Sequence, residues 1–161
     1  MTALRLVVFY LACVTAHWWV GTHLSIAGAS PSLLLAAAVA VATLGGPLAG
    51  HSFAFFCGLY LDFMSAGLFG GYSLAFTVCA YIIWFFKWRM DFAGAAAQMA
   101  LAFALTVLVG LEYGVIGLVF TGKLIWRGWA YSILMPLFTA IVTPFLFIAA
   151  GMLSLDGGKR P

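Results

Sequence analysis

The hydrophobic positions of the chain fall into six long runs, separated by short stretches rich in glycine, proline or charge. Between Arg5 and Asp62 no Asp, Glu, Lys or Arg interrupts the sequence, and none follows Asp62 until Lys87. Apolar runs of about 20 residues are typical of transmembrane helices. The pattern therefore predicts six helical segments, with the approximate bounds Leu6–Val20, Pro31–Leu44, Pro47–Met64, Gly71–Phe86, Phe92–Phe120 and Ala130–Leu153.

The second segment is short for a membrane span. Its roughly 14–16 residues, at a rise of about 1.5 Å each, reach only about 21–24 Å, against a hydrocarbon core of about 30 Å. The segment can thin the bilayer locally, borrow residues from the preceding "SIAGAS", or be re-entrant. The sequence thus predicts six transmembrane helices, or five if the second segment is re-entrant.

The last segment contains two prolines within its apolar run, Pro136 and Pro144. Each proline removes a backbone donor and clashes with the preceding turn, so we expect the helix to bend at both. Thr139 and Thr143 can donate side-chain hydrogen bonds to the carbonyl groups that the prolines free.

Composition supports a membrane protein. Hydrophobic residues make up 66% of the chain and charged residues 7%, whereas a soluble domain carries about 25% charged residues. We interpret residues 1–161 as a single transmembrane domain. The first apolar run is expected to be a retained helix, because "HWWVGTHLSIAG" suits an interfacial belt better than a signal-peptide cleavage site.

The basic residues flank the segments, as topology signals do, and form no patch of the kind that binds nucleic acid. With six spans and a cytoplasmic N-terminus, the outer side receives two basic residues, Lys123 and Arg127. The cytoplasmic side receives five: Arg5, Lys87, Arg89, Lys159 and Arg160. This excess predicts that both termini lie in the cytoplasm.

The chain carries no catalytic motif that we recognise, such as GxSxG, HExxH or a P-loop. Its three cysteines lie mid-segment in apolar surroundings without a CxxC spacing, and its three histidines are scattered. We therefore expect no enzyme activity, no metal site and no cofactor.

Two rows of small residues recur every fourth position, which places them along one helix face. Such rows allow close helix packing in membranes, either within the chain or against a partner's helix. The third segment carries the first row: Gly46, Gly50, Ala54 and Gly58. The fifth carries the second, with a glutamine among its members: Gly94, Gln98, Ala102, Thr106, Gly110 and Gly114.

Asp62 and Glu112 are the two acids that lie closest to the predicted hydrocarbon. Asp62 precedes the glycine-rich "MSAGLFGG", where its carboxylate can accept backbone N–H bonds from the turn that starts the fourth segment. The alternatives are a binding role, either in the outer cavity or at a partner interface, and a proton or ion relay. Glu112 lies about 27 Å along its helix from Gly94, so we expect it near the outer surface, paired with Lys123 or Arg127.

The middle of the chain combines a proline-led apolar helix, a small-residue turn and an acid among glycines, in "PSLLLAAAVAVATLGG" followed by "GPLAGHSFAFFCGLYLDFMSAGLFGGYSLAF". This arrangement resembles the family of the rod shape-determining protein MreD. The matching positions are Pro31, Leu33, Leu34, Leu35, Gly46, Gly50, Gly58, Leu59, Asp62, Gly67, Leu68, Gly70 and Leu74. The closing helix, "PLFTAIVTPFLF", also resembles the family at Pro136, Thr139, Pro144 and Phe147.

The resemblance implies a non-catalytic component of the bacterial cell-elongation machinery in the cytoplasmic membrane. Such a protein docks MreC, a single-span membrane protein, and so links the MreB cytoskeleton to the peptidoglycan synthases. The alternative is the substrate-binding S component of an energy-coupling-factor vitamin transporter, a six-helix bundle of similar size whose fold MreD is thought to share. A binding subunit of that kind needs an enclosed pocket with several convergent polar groups.

Overall fold

The computed structural model describes residues 2–25, 29–65, 69–89, 92, 94–122 and 128–152. These residues fold into six α-helices, which confirms the predicted number and order. Their bounds are α1 (Thr2–His23), α2 (Leu33–Leu44), α3 (Pro47–Met64), α4 (Gly71–Phe86), α5 (Ala95–Thr121) and α6 (Trp129–Met152). The predicted bounds of α3 and α4 agree with the structure, and those of the other helices differ by a few residues at one or both ends.

The start of α2 shows why some predicted helix ends differ from the observed ones. Pro31 and Ser32 precede the helix, and the backbone N–H of Ser32 donates a 3.0 Å hydrogen bond to the hydroxyl of Thr139 on α6. The hydrogen-bond acceptor of this N–H is therefore a residue distant in the sequence. A local sequence pattern cannot predict such a contact. This bond fixes the entry to α2 against α6.

The α2 helix lies at the centre of the bundle and packs against all five other helices. Every side chain from Leu33 to Thr43 is buried. A helix that is apolar on all sides is stable only when it is surrounded, which explains the absence of a polar face in "LLLAAAVAVATL". Its 12 residues span about 18 Å. Protein therefore covers its sides, and the re-entrant alternative stays a prediction about its depth in a membrane.

The other helices surround α2 in two closely packed pairs and a single helix. The α3 helix packs extensively on α4, and α5 packs extensively on α6. The α1 helix lies against α2 and α3, where the ring of Phe9 stacks on Phe53 with 5.8 Å between centroids. The hydroxyl of Tyr10 donates to the carbonyl of Phe56 at 3.2 Å, which fixes α1 along α3.

Three helices are long and apolar enough to cross a membrane, namely those over Ala3–His23, Ala95–Thr121 and Tyr131–Met152. Large apolar side chains on their outer faces are exposed: Leu4, Val8 and Leu11 on α1, Phe103, Val107 and Leu111 on α5, and Ile133, Leu137 and Ile141 on α6. Soluble monomers rarely expose apolar patches of more than a few hundred Å². The outer faces of these helices thus differ from an ordinary water-facing surface.

The threonines of α6 bond to carbonyl groups other than those expected. A proline at position i removes the hydrogen bond to the carbonyl of residue i−4, so Pro136 and Pro144 free the carbonyls of Ser132 and Ala140. The hydroxyl of Thr139 instead donates to Met135, and that of Thr143 donates to Thr139, both at 2.7 Å. The prediction was wrong because a threonine hydroxyl reaches back four residues along its own helix.

Candidate functional site

Two of the residues that carry the family resemblance, Gly58 and Asp62, lie where the end of α3 meets the start of α4. Gly58 and Asp62 are four residues apart, so both lie on the face of α3 that packs against α4. Opposite them lies the first turn of α4, which contains Gly71, Tyr72 and Ser73. We call these five residues the α3–α4 corner.

Gly58 brings the two helix backbones into contact. A Cβ atom built on Gly58 would lie 2.5 Å from the Cα of Ser73 and 2.5 Å from the carbonyl oxygen of Tyr72. Because both are backbone atoms, no side-chain rotation could relieve such an overlap. Glycine is therefore required sterically at position 58, independently of any backbone strain.

Asp62 binds the first turn of α4 through three hydrogen bonds. Its Oδ1 accepts from the backbone N–H of Tyr72 at 2.9 Å, and its Oδ2 accepts from the N–H of Ser73 at 3.0 Å. The Ser73 hydroxyl donates to the same Oδ2 at 2.5 Å. The predicted capping role is confirmed, with the carboxylate supplied by the preceding helix rather than by the turn itself.

The environment of the carboxylate explains how it is tolerated. Asp62 is only 3% exposed, and an unpaired buried charge would be costly. The first N–H groups of a helix lack intrahelical partners and carry a partial positive charge, so an acid placed there is stabilised. The corner thus satisfies the free N–H groups of α4 and the buried charge of Asp62 together.

Glycine and aromatic residues complete the corner. Gly70, the residue before α4, has φ = 92°, a left-handed conformation that favours glycine. A Cβ on Gly71 would lie 3.0 Å from the ring of Tyr113 on α5. The rings of Tyr72 and Tyr113 stack with 4.5 Å between centroids. The corner is therefore closed by aromatic packing on its α5 side.

The remaining members of the α3 motif are not all brought together. A Cβ on Gly50 would lie 2.8 Å from the Cα of Ala42, so this glycine packs against α2. Gly46 is exposed, with no atom within 4 Å of a built Cβ, so it packs against no described helix of this chain, and a partner-binding role for it stays a prediction. Leu59 is half-buried. Gly67 lies outside the described residues.

The row on α5 is buried only in part. Ala102 and Thr106 are buried, as is Gly114. Gly94 and Gly110 are exposed, with no atom within 4 Å of a built Cβ. These two glycines therefore pack against no other helix of the described structure, and their packing against a partner's helix stays a prediction. A spacing of four residues turns about 40° per step, so five steps turn about 200° around the helix.

Glu112 lies within α5 and not at its outer end. The helix continues for nine residues to Thr121, which is about 14 Å. The side chain is half-buried, and its Oε2 is enclosed and has no hydrogen-bond partner among the described residues. Lys123 and Arg127, the expected partners, lie outside the described residues, so that pairing stays a prediction.

Sequence reasoning missed two polar contacts that fix the ends of α2. One is the bond from Ser32 to Thr139 described above, and the other is a 2.9 Å bond from the Nζ of Lys87 to the carbonyl of Gly45. The sequence predicts that Thr139 bonds within its own helix and that Lys87 is a topology signal. Their long sequence separations, 107 and 42 residues, explain why no local signal revealed either contact.

Two features bear on what the bundle can hold. A small void between α2, α3 and α4 is lined by apolar side chains, among them Leu35, Ala54 and Phe76. Within the described part of the chain, no three His, Cys, Asp or Glu side chains are placed to hold a metal ion. The packing of apolar side chains in this region holds the three helices together.

Comparisons of the chain with models of known protein families, with curated proteins and with solved structures found no match.

Proposed function

We propose that this chain is a multi-pass protein of the bacterial cytoplasmic membrane. Three helices of sufficient length, with exposed apolar side chains along their outer faces, support the proposal. Hydrocarbon is the environment in which such faces are stable without a covering partner. The predominance of Lys and Arg at one set of helix ends supports a topology with both termini in the cytoplasm.

Within that membrane, the proposed role is that of a non-catalytic adaptor in the cell-elongation machinery. The chain would dock an MreC-like single-span protein and so link the MreB cytoskeleton to peptidoglycan synthesis. The observation that carries this proposal is the α3–α4 corner, because the MreD-like residues Gly58 and Asp62 are the ones that join the two helices. The resemblance thus concerns residues that define the shape of the bundle.

In this geometry, Gly58 and Asp62 stabilise the contact between α3 and α4 and do not themselves form a docking surface. Asp62 is buried and fully engaged with α4, so the corner acts on a partner indirectly, by holding the bundle in shape. A partner would then dock on faces of the bundle that remain exposed. This separates the residues needed for folding from those needed for docking.

Depletion and complementation in a rod-shaped bacterium test the role. Cells that depend on the wild-type chain should remain rods, and the chain should co-purify with an epitope-tagged MreC-like protein of the host. Rod shape that persists when the chain is depleted, together with no retention of the tagged protein, would contradict the proposal. A tightly bound small metabolite found by native mass spectrometry would instead favour a transporter S component.

A further inference from the structure

The six helices fall into two length classes. Helices α1, α5 and α6 contain 22, 27 and 24 residues, which correspond to about 33–40 Å. Helices α2, α3 and α4 contain 12, 18 and 16 residues, which correspond to about 18–27 Å. The hydrocarbon core of a bilayer is about 30 Å thick. The long helices therefore exceed that thickness, and the short helices do not reach it.

The three short helices meet at one end of the bundle. Lys87 follows the last residue of α4, and its Nζ donates a 2.9 Å hydrogen bond to the carbonyl of Gly45, which follows α2. The next residue, Gly46, precedes α3. The charged ammonium group places this end at the headgroups, on the side that the sequence predicts to be cytoplasmic. The other ends of α2, α3 and α4 therefore lie only about 18–27 Å from these headgroups.

At the opposite end, α5 extends beyond the α3–α4 corner. Asp62 accepts a hydrogen bond from the N–H of Tyr72, whose ring stacks on Tyr113 of α5, so the three residues lie at one level of the bundle. The α5 helix begins eight residues after Lys87 and therefore runs away from the Lys87 end. From Tyr113 it continues for eight residues to Thr121, which is about 12 Å.

The α6 helix likewise extends beyond the start of α2. Ser32, the residue before α2, donates its N–H to Thr139, which is ten residues after Trp129 at the start of α6. At this end α6 thus extends about 15 Å beyond α2. Within this part of α6, Ile133 and Leu137 are exposed, and Trp129 is 75% exposed. Tryptophan is enriched at membrane interfaces, so Trp129 marks the level of the outer headgroups.

Three exposed apolar residues lie near the level of the corner, where the chain passes from α3 to α4. They are Phe63 and Met64 at the end of α3, and Phe69 shortly before α4. The rings of Phe63 and Phe69 are in contact, with 5.2 Å between centroids. We call these three residues the α3–α4 ledge. The exposed Phe56 of α3 and Leu74 of α4 show that this side of the bundle also presents apolar side chains outward, over a shorter length than α5 and α6 do.

The ledge is unsuited to a cover of hydrocarbon chains. The α3 helix ends at Met64, and the last carbonyl groups of a helix lack intrahelical partners. Hydrocarbon offers no hydrogen bond to such groups, and irregular backbone exposed to lipid does not occur within the hydrocarbon. A bilayer beside a short hydrophobic stretch can instead become thinner, at a modest cost per Å. Headgroups and water then reach the end of the short helices.

We propose that the bundle thins the outer leaflet by about 10 Å beside α3 and α4, so that phospholipid headgroups contact the α3–α4 ledge. The leaflet keeps its full depth beside α5 and α6. The inference rests on the membrane location in the proposed function, and it adds the shape of the bilayer around the bundle and the lipid surface that the ledge contacts.

Spin labelling of the full-length chain in liposomes of phosphatidylethanolamine and phosphatidylglycerol tests the inference. Phe69→Cys and Leu111→Cys form a matched pair, because Leu111 is exposed on α5 two residues from Tyr113, at the level of the corner. Trp129→Cys supplies the interfacial reference. The label at position 69 should be as accessible to a water-soluble nickel complex as the label at position 129, and the label at position 111 should be accessible to oxygen instead. The native cysteines are buried, so wild type measures the background labelling.

The outcomes separate this inference from the membrane location. A label at position 69 that is as inaccessible to the nickel complex as that at position 111 would overturn the inference, because hydrocarbon would then cover the ledge. Met64→Cys supplies a second ledge position if substitution of Phe69 disturbs the fold, and the same result is expected there. A label at position 111 that is accessible to the nickel complex would instead count against the membrane location itself.

Native membrane fragments that are open on both faces show whether another protein covers the ledge. In them, Phe69→Cys should react with a membrane-impermeant maleimide, and Leu111→Cys should not. Protection of position 69 in native membranes, together with nickel access in liposomes, would show a partner protein on the ledge in place of headgroups and would contradict the proposal.

Discussion

On α3, the small residues meet backbone atoms of neighbouring helices, at Gly50 against Ala42 and at Gly58 against Ser73. On α5, a row with the same spacing leaves Gly110 in open surroundings. The two rows are similar in sequence and differ in what lies opposite them. A glycine is sterically required only where another backbone comes within a side chain's width.

The difference also reflects helix geometry. A spacing of four residues exceeds the helical repeat of 3.6, so each step moves the row around the helix by about 40°. The three steps from Gly46 to Gly58 turn about 120°, which allows the row to meet α2 at Gly50 and α4 at Gly58. On α5 this rotation does not account for Gly110, which is exposed although Thr106 and Gly114, its neighbours in the row, are buried.

The largest expected effect is that of Gly58→Leu. The new side chain would overlap the backbone of α4, at a cost of about 3 kcal/mol or more, the upper end of the usual range for overpacking. We expect loss of folded protein from the membrane and a large drop in the midpoint of thermal unfolding in detergent. Normal abundance and an unchanged midpoint would show that α3 and α4 are not in contact at this point.

Asp62→Ala comes next in size. It leaves the N–H groups of Tyr72 and Ser73 buried without their acceptor, a loss of about 1.5–3 kcal/mol in the free energy of unfolding. Asp62→Asn keeps one acceptor and loses the charge, so its unfolding midpoint should lie between those of Asp62→Ala and wild type. If both variants unfold as wild type does, Asp62 does not cap α4.

Ala102→Leu probes the buried part of the α5 row. Ala102 is fully buried, so a larger side chain should overpack its site and destabilise the protein by about 1–2 kcal/mol. Thermal unfolding in detergent, measured beside Ala102→Ser as a small control, checks this expectation. A leucine accommodated without loss would place position 102 on the surface.

Gly110→Leu should have the smallest effect. Its site is open, and leucine favours a helix over glycine by up to about 1 kcal/mol, so stability should be unchanged or slightly raised. A loss of stability comparable to that of Gly58→Leu would show that Gly110, like Gly58, lies against another helix.

The helices themselves could be predicted from the sequence because each has a long apolar run bounded by glycine or proline. Pro47 and Gly71 begin α3 and α4 as expected, and Asp62 was identified as a possible cap for the turn that follows it. These features depend on residues close together in the chain.

Features set by distant residues could not be predicted in the same way. The sequence does not reveal that Thr139 would accept a bond from Ser32, or that Gly110 would face outward while Ala102 is buried. Each outcome depends on which helix lies opposite, and the spacing of apolar residues does not specify that. The apolar run of α2 predicted a helix but not its central position among the other five.

Photolabelling of the wild-type chain in native membranes with a lipid-soluble carbene reagent tests the central claim most directly. If the bundle is embedded in lipid as we describe, label should be found by mass spectrometry on α5 around Val107, Gly110 and Leu111, which are exposed. Helix α2 and the buried Ala54, Cys57 and Gly58 of α3 should remain unlabelled despite their apolar character. Label on α2, or none on the outer face of α5, would contradict the account.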